Sequence, residues 1–347
     1  MGLGKKKMLL QSAAGGVVPS DNFNTVLYPG NSSTQAITGV GFAPDFVWIK
    51  RENSAEDHAL YDSVRGINKQ LSSNTNAVEA TNSSPYEGLN SFDSDGFTSG
   101  NNGATNRSPN TYVAWNWKAG GTAVSNTDGS ITSSVSANTA AGFSIVSYTG
   151  NSSANGTVGH ALNSAPELIM VKNIDNTALW SVYSSSVGAS QTAHLNTAAA
   201  YSSSGDWNST TATTDVFSIG SSASGRTNSS ALNHIAYCWT SIAGYSKIGS
   251  YTGSGTTLQT IPTGFEPAFI LIKNYDAGNV WTILDNKRNT SNPRNLGLFP
   301  DLSNAEYTYP GTPNGLSFIS TGFTLNVNQS EFNQSTLGYI YMAFAAT

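Results

Sequence analysis

Short hydrophobic runs recur along the chain, and turns rich in Ser, Thr, Asn and Gly separate them. Three of these runs are alike: GFAPDFVWIK at 41–50, SAPELIMVKN at 164–173 and GFEPAFILIKN at 264–274. In each run a Pro stands six residues before a Lys, and the residues between them are mostly apolar. A short run that is apolar on both faces is typical of a central strand, and Pro is tolerated at the first position of such a strand.

Four further features accompany each run in the same order. They are a Tyr-X-Gly turn, a strand with a central Leu or aromatic residue, a short strand around a Phe, and an aromatic closing strand. In the first closing strand, period-two alternation places Val113, Trp115 and Trp117 on one face, which is the predicted core face. The same alternation recurs in NHIAYCWTS at 233–241 and GYIYMAFAA at 338–346.

Five features in the same order, three times, predict three copies of one unit, each long enough to bury a core of its own. The predicted fold is all-β: three tandem antiparallel β-sandwich, jelly-roll-like repeats with a short N-terminal arm. The 121–146 stretch is either a flexible linker or adds a strand through GSITSSVS. The predicted boundaries are 1–20 for the docking arm, 21–120 for repeat 1, 121–146 for the Gly/Ser/Thr-rich linker, 147–245 for repeat 2 and 246–347 for repeat 3.

The composition of the 347-residue chain narrows the classes of function. Only 11% of the residues are charged, the net charge is −5, and the one basic run is GKKK at 4–7. Nucleic-acid binding through a phosphate-neutralising patch is therefore not expected. No stretch is long and apolar enough to insert into a membrane, and the start of the chain has too short an apolar core for a cleaved signal peptide. The single cysteine, Cys238, cannot form an intrachain disulfide and is expected to be a small buried or interface residue.

Candidate catalytic residues are sparse. His58 and Asp62 share one face of a strand but lie too far apart for direct contact, and the other two units have no such pair. We therefore expect Asp62 with Arg65, and Asp285 with Arg288, to tie a strand end to its turn. No catalytic residue is predicted.

Ligand-binding residues are equally few. Asp93, Asp95 and Asp128 resemble fragments of calcium loops but lack the terminal Glu, so Asx-type turns are the better interpretation. No metal site and no cofactor are predicted. Trp207 and Tyr307 stand in polar loops, where they would stack on sugar rings or else plug the open ends of the sandwiches.

Several of these motifs together resemble a known family. GFAPDFVWIK, HALYDSVRG, LSSNTNAVEATN, SFDSDGFTSG and NTYVAWNWKAGG are similar to a domain of unknown function that recurs in structural proteins of tailed bacteriophages, mainly marine ones. The resemblance covers nearly the whole chain after Ser20. It implies a virion protein and brings no catalytic or ligand residues with it.

We therefore expect a non-enzymatic structural protein on the surface of a bacteriophage particle, as a head decoration, a knob-like attachment or a tail fibre component. Lys5, Lys6 and Lys7 would dock the arm onto other virion proteins of the capsid or tail. Phage symmetry suggests a homo-oligomer, with a trimer as the first guess. The alternative is a lectin-like adhesin that binds a host surface glycan. A polysaccharide-degrading enzyme is a third class, for which no acid–base pair is visible.

Overall fold

Antiparallel β-strands form nearly all of the regular structure of the protein, so the predicted all-β class is confirmed. The computed structural model describes residues 16–84, 87–220, 225–256, 258–310, 315–326 and 329–345. Within these ranges the helical structure is one 3-10 turn, Pro19–Asp21, and one α-helical turn, Gly103–Asn106.

Residues 23–117, called here the first segment, form one sheet in the order β1-β9-β3-β4, a second sheet in the order β2-β8-β7, and the hairpin β5-β6. The strands are β1 (Phe23–Pro29), β2 (Gln35–Thr38), β3 (Phe46–Arg51), β4 (Ala59–Asp62), β5 (Lys69–Gln70), β6 (Ala80–Thr81), β7 (Leu89–Asp93), β8 (Gly96–Ser99) and β9 (Thr111–Trp117).

Residues 143–239, the second segment, follow two linker strands and join them in one eight-stranded sheet, β10-β11-β12-β19-β14-β15-β16-β17, beside the pair β13-β18. The strands are β10 (Val124–Asn126), β11 (Ser133–Asn138), β12 (Phe143–Thr149), β13 (Gly156–Gly159), β14 (Leu168–Asn173), β15 (Ser181–Ser184), β16 (Gln191–His194), β17 (Ser202–Ser203), β18 (Val216–Ile219) and β19 (Asn233–Trp239).

Residues 246–345, the third segment, form the sheets β20-β28-β22-β23 and β21-β27-β26 and the hairpin β24-β25. The strands are β20 (Ser246–Thr252), β21 (Gln259–Pro262), β22 (Pro267–Asn274), β23 (Thr282–Asp285), β24 (Leu296–Gly297), β25 (Tyr307–Thr308), β26 (Leu316–Ile319), β27 (Gly322–Leu325) and β28 (Gly338–Ala345). Four corresponding strands thus have the same spatial order in each segment: β1-β9-β3-β4, β12-β19-β14-β15 and β20-β28-β22-β23.

The 121–146 stretch supplies two added strands and the start of β12, so the strand alternative holds there. β11 covers the edge of β12, which lies where β1 and β20 form the edges of their own sheets. Those two edges carry a side-chain cap instead: the Thr25 N–H donates to Asn24 Oδ1 and the Ile248 N–H donates to Ser241 Oγ, both at 2.9 Å. In each case an N–H group at the sheet edge has a partner and is not free to pair with a strand of another molecule.

In each segment the two sheets face each other across a hydrophobic cluster, which gives a sandwich-like layering. In the first segment, Val47 and Tyr61 of the four-stranded sheet pack with Ile37, Leu89 and Phe97 of the three-stranded sheet. The jelly-roll comparison stays a prediction.

A further and larger cluster is shared by all three segments. It covers the opposite face of the larger sheet of each segment, and aromatic rings meet there across segment boundaries. The ring centroid of Trp117 lies 6.3 Å from that of Trp239 and 5.7 Å from that of Phe344, and Phe46 stacks on Tyr237 at 4.4 Å. Such pairs add about 0.5–1.5 kcal/mol each beyond the burial of their area.

The shared cluster explains the central strands β3, β14 and β22, which are buried on both faces as predicted. The prediction of one core face for the closing strand was too narrow. Val113, Trp115 and Trp117 of β9 face the shared cluster, while Tyr112 and Ala114 pack inside the sandwich of the first segment. Both faces are buried because the sheet lies between the shared cluster and the second sheet of the first segment.

The closing strands β9, β19 and β28 meet at their C-terminal ends, which gives the molecule two ends. At the end called here the base, Trp117, Trp239 and Phe344 meet. Residues 118–121, 138–142 and 240–245 lie at the base, and so does Ala345, which pairs with Pro267. Between them, β11 runs toward the crown, where Ser133 pairs with Tyr148. The opposite end, called the crown, carries the Tyr-X-Gly turns and the loops that precede β9, β19 and β28.

Candidate functional site

The Tyr-X-Gly turns of the crown are fixed by ring stacking. Tyr28, Tyr148 and Tyr251 each stack on the ring at the start of the closing strand, with centroid distances of 5.4, 5.1 and 5.1 Å and interplanar angles of 14°, 9° and 11°. Each Tyr hydroxyl also donates to a backbone carbonyl at 2.7 Å. The partner rings, from the first to the third segment, are Tyr112, His234 and Tyr339.

A buried Asn fixes the loop backbone beside each turn. In the second segment, Asn228 Oδ1 accepts from the N–H groups of Asn151 and Ser152 at 2.8 and 3.2 Å, and its Nδ2 donates to Ser153 O at 2.9 Å. Asn106 and Asn333 make corresponding bonds to the turns of the other segments. The crown therefore presents Ser, Thr and Asn side chains on a backbone that is held in place, a preorganised surface for contacts.

Apart from the N-terminal arm, each segment has an internal arm that crosses onto a neighbouring segment near the crown. The first arm is 72–79, the second arm is 194–201 and the third arm is 299–306. The Glu79 N–H of the first arm donates to Ile174 O at 2.9 Å, and the Ala178 N–H donates back to Asn76 O at 3.0 Å. The same pair of bonds joins the second arm to the third segment and the third arm to the first segment. These bonds are Tyr201 N to Tyr275 O (3.0 Å), Asn279 N to Ala198 O (2.7 Å), Glu306 N to Glu52 O (2.7 Å) and Glu56 N to Ser303 O (2.8 Å).

The Lys that follows each central apolar run is buried and bonds to backbone carbonyls. Lys50 Nζ donates to Arg51 O at 2.9 Å and to the third arm at Ser303 O at 3.3 Å. Lys273 Nζ donates to Asn279 O at 2.7 Å and to the second arm at Ala198 O at 3.1 Å. Burial lowers the pKa of Lys50, Lys172 and Lys273 to about 8. Their donors are committed to the arms, so they form no anion site.

The His58 ring bonds to a backbone carbonyl of an arm, as the rings of Trp180 and Trp281 do. Its Nε2 lies 2.9 Å from Phe299 O of the third arm, and Trp180 and Trp281 donate from Nε1 to other arm carbonyls at 3.0 and 3.1 Å. His58 Nδ1 accepts from Trp48 Nε1 at 2.9 Å, which assigns the ring proton to Nε2. Burial lowers the pKa of His58 well below its ordinary value, so the ring is neutral and fully used in structural bonds.

Asp62 and Arg65 tie β4 to its turn, as expected. Asp62 Oδ1 accepts from the Arg65 N–H at 2.8 Å, and Asp62 Oδ2 lies 2.6 Å from Arg65 Nε. Asp62 Oδ2 also accepts from Tyr237 OH of the second segment at 2.7 Å. Asp285 repeats this arrangement with Arg288 and with Trp115 Nε1 of the first segment at 3.2 Å. These acids join segments and face no open cleft.

The residues predicted for ligand contacts do not converge. Trp207 is 1% exposed and packs 5.6 Å from the Tyr183 ring, so of its two alternatives the stacking on sugar rings is excluded. Tyr307 is 45% exposed on β25, with Tyr309 edge-on at 5.1 Å. Lys5, Lys6 and Lys7 lie outside the described residues. Cys238 is buried, and burial raises the pKa of its thiol.

The acidic turns behave as local structure. Asp95 accepts from the N–H groups of Gly39 and Gly41 at 3.1 and 2.6 Å, and Asp93 accepts from Ser91 and Thr98. Among the described residues no group of three His, Cys, Asp or Glu side chains is placed to hold a metal ion. In the same part of the chain, no helix has the length and apolarity needed to cross a membrane.

Two open grooves lie at opposite ends of the first segment. The larger, of about 490 Å³, lies at the base and is lined mainly by small residues of 43–45, 118–121 and 137–140. The other, of about 290 Å³, lies at the crown and is lined by Ser32, Ser33, Thr34, Ser84, Glu87 and Asn101.

Residues 18–347 match the family described as Domain of unknown function (DUF7483). The chain belongs to this family. No curated protein and no solved structure matches the chain. The DUF7483 match extends over all three segments, from the 3-10 turn before β1 to the last strand. Membership assigns no reaction and no ligand, so function has to be argued from the geometry.

In this DUF7483 chain, sequence reasoning missed the buried Asn residues and the arms. A signal for the Asn residues exists, because each stands six positions before the first ring of its closing strand: Asn106 before Tyr112, Asn228 before His234 and Asn333 before Tyr339. The paired bonds by which the arms cross between segments are backbone bonds. The repeated side chain of the arms, which is Asn74, Asn196 or Asp301, bonds within its own segment and gives no sign of the crossing.

Proposed function

We propose that this DUF7483 chain is a non-enzymatic structural protein on the surface of a bacteriophage particle. In this proposal it consists of three tandem β-sandwich repeats that close into a ring. The observation that carries it is the cycle of arm contacts, first to second, second to third and third to first segment, each made by the same pair of backbone bonds. His58, Asp62 and Asp285, which are buried, each bond to a neighbouring segment and so support the cycle.

The proposed ring changes the expected number of chains in the assembly. From the sequence alone, a homotrimer was the first guess. Three segments of one chain already supply threefold packing around a common core, which favours attachment as a single copy. Sedimentation of the purified protein tests this, with a monomer mass near 36.3 kDa expected and a stable trimer as the contrary result.

The surface composition supports a role in contacts between proteins. With 11% charged residues and crown loops of Ser, Thr and Asn, the protein offers many hydrogen-bonding groups on short side chains. Short side chains lose little conformational entropy when a neighbour immobilises them. Such a surface suits extended polar contacts within a particle.

Deletion of residues 1–15 tests the proposed docking. The truncated protein should keep its circular dichroism spectrum and thermal transition but no longer be incorporated into particles, as measured by mass spectrometry of purified virions. Lys5→Ala/Lys6→Ala/Lys7→Ala in the full chain separates the effect of charge from that of length. Normal incorporation of both variants would contradict docking through the N-terminal arm.

A glycan-binding adhesin is a second candidate, favoured by the exposed ring of Tyr307 near the crown. Stacking of a sugar on an aromatic face needs such a ring held in place, and Tyr309 supports it edge-on. A glycan array with the full chain and with Tyr307→Ala tests this. Binding that competes with free glycan and is lost in the variant would support the adhesin.

A further inference from the structure

We propose that the outer edge of β10 pairs with the same edge of a second copy of this chain. The two strands run antiparallel, with Ser125 opposite Ser125 of the other copy across a twofold axis, so that two eight-stranded sheets continue into one another. The proposal goes beyond the proposed function, because it concerns a contact that the purified protein makes with itself. The open end of the sheet, the caps on the other edges and one exposed apolar side chain carry it.

β10 is the end strand of the eight-stranded sheet, and within the described ranges no strand pairs with its outer side. In an antiparallel sheet the N–H and C=O groups of one residue point to the same neighbouring strand, and successive residues alternate. Gly150 N–H donates to Leu232 O on the β19 side, which fixes the phase of this alternation. Counted across the registered pairs, Val124 and Asn126 face β11 and Ser125 faces outward.

The outward row of β10 is complementary to a second copy of itself. When Ser125 lies opposite Ser125 of the other copy, each Ala123 lies opposite a Thr127, and all three residues present backbone groups to the partner strand. The stretch 121–127, GTAVSNT, contains no charged residue and no Pro. Two antiparallel copies of it therefore bring together neither like charges nor a position without an N–H group. A twofold contact of this kind makes each interaction twice.

The corresponding edges of the other segments are protected, whereas β10 is not. At β1 the Thr25 N–H donates to the Asn24 side chain, and at β20 the Ile248 N–H donates to Ser241 Oγ. β11 covers the edge of β12, but this only moves the end of the sheet outward to β10. Among the described residues no side chain caps an N–H group of β10. An uncapped edge without charge is the arrangement that accepts another strand.

Val124 also favours a partner at this edge. It is 65% exposed, although it pairs with Val135 of β11, which is 2% exposed. In the proposed pair Val124 lies opposite Asn126 of the other copy in a non-hydrogen-bonded pair, where facing side chains are closest. The second copy thus covers an apolar side chain that a single copy leaves in water.

The contact is small. It involves residues 123–127 of each copy and so buries much less than the ~800 Å² per partner of a stable interface. Free protein at low concentration should therefore sediment as a monomer, as expected for the proposed ring. Pairing is expected where copies lie close together, because a high local concentration favours a weak contact.

A disulfide at Ser125→Cys tests the pairing. Cα atoms of a hydrogen-bonded antiparallel pair lie about 5.5 Å apart, a distance that a disulfide spans. Native Cys238 is buried and does not interfere. Thr122→Cys is the matched control: the position is also exposed, but its counterpart in the pair is about 20 Å away at ~3.3 Å per residue.

Both purified variants are oxidised at high protein concentration and followed on non-reducing gels, where a linked pair has twice the chain mass of 36.3 kDa. Ser125→Cys should cross-link at least about tenfold faster than Thr122→Cys, because pairing raises the effective concentration of its thiols. Adding Val124→Lys to Ser125→Cys places like charges beside the axis and should reduce the rate to that of the control. Circular dichroism verifies that each variant is folded.

Equal rates for Ser125→Cys and Thr122→Cys would overturn the pairing, and so would an unchanged rate after Val124→Lys. If the occupant is a strand of another protein, the first of these results is obtained. Neither result touches the proposed function, which is tested by incorporation into particles and not by self-association.

Discussion

Replacing Asp301 by Asn should stabilise the protein at neutral pH. Asp301 belongs to the third arm, where its Oδ1 accepts from the Trp281 N–H at 3.1 Å. Asn196 of the second arm accepts in the same way from the Trp180 N–H at 3.1 Å. Asp301 Oδ2 is buried without a partner, and burial raises the pKa of the carboxyl group from 3.8 to about 6. The third arm thus carries a charge where the second arm carries an amide.

The sign and size of the effect follow from that pKa. Between pH 3.8 and about 6 the folded state binds more protons at Asp301 than the unfolded state, so stability falls as pH rises through this window. Above pH 6 the full penalty is present, about 3 kcal/mol at ~1.4 kcal/mol per pKa unit. Because the Asn amide that replaces the carboxylate stays unpaired at a cost of about 1 kcal/mol or more, we expect a net gain of at most about 2 kcal/mol.

Urea denaturation of wild type and Asp301→Asn at pH 7.5 and pH 4 measures the effect. The gain should appear at pH 7.5 and shrink strongly at pH 4, and the comparison cancels the contribution of the buried histidines. Asn196→Asp is the matched control, because it places the same charge in the second arm and should destabilise the protein at pH 7.5. A loss of stability in Asp301→Asn, or an equal gain at both pH values, would refute the reasoning.

Three further predictions follow from the packing. Because one hydrophobic cluster joins all three segments, calorimetry should show a single cooperative unfolding transition; three separate transitions would contradict the shared core. Burial lowers the pKa of Lys50, Lys172 and Lys273 to about 8, below their unfolded value of 10.5. The free energy of unfolding should therefore rise between pH 8 and 9.5. The variant with all three lysines replaced by Met should lose that rise, and a rise that persists in it would assign the effect to other groups. Cys238 should resist Ellman's reagent in the native protein and react fully in guanidinium chloride, whereas fast native labelling would place the thiol outside the core.

The sequence predicted the elements whose pattern of apolar and polar residues matches the burial of their two faces. The Pro-to-Lys runs predicted β3, β14 and β22, because a strand between two packed layers needs apolar residues on both faces. The turn role of Asp62 and Arg65 was also predictable, since a carboxylate at a strand end commonly accepts from the turn that follows.

Packing between segments was harder to predict. Tyr112 and Asn116 made one face of β9 resemble an exposed polar face, although both side chains are buried. Trp207 stands among Gly205, Asp206 and Asn208, a pattern that indicates a surface loop, yet the loop folds its ring inward against Tyr183. The contacts of the arms with neighbouring segments are made mainly by backbone groups, so the side chains do not show which segments they join.

Asn22 and Ala345 lie at the same end of the fold, and so do the two ends of each connector between segments. The covalent order of the segments is therefore independent of their spatial contacts, because the junction of the third with the first segment matches the other two without any connector. A circular permutant that is opened at 240–245 and joined between its original termini would keep every arm contact. For the same reason, an insertion into a loop of a host protein would leave the opposite end of the fold unobstructed.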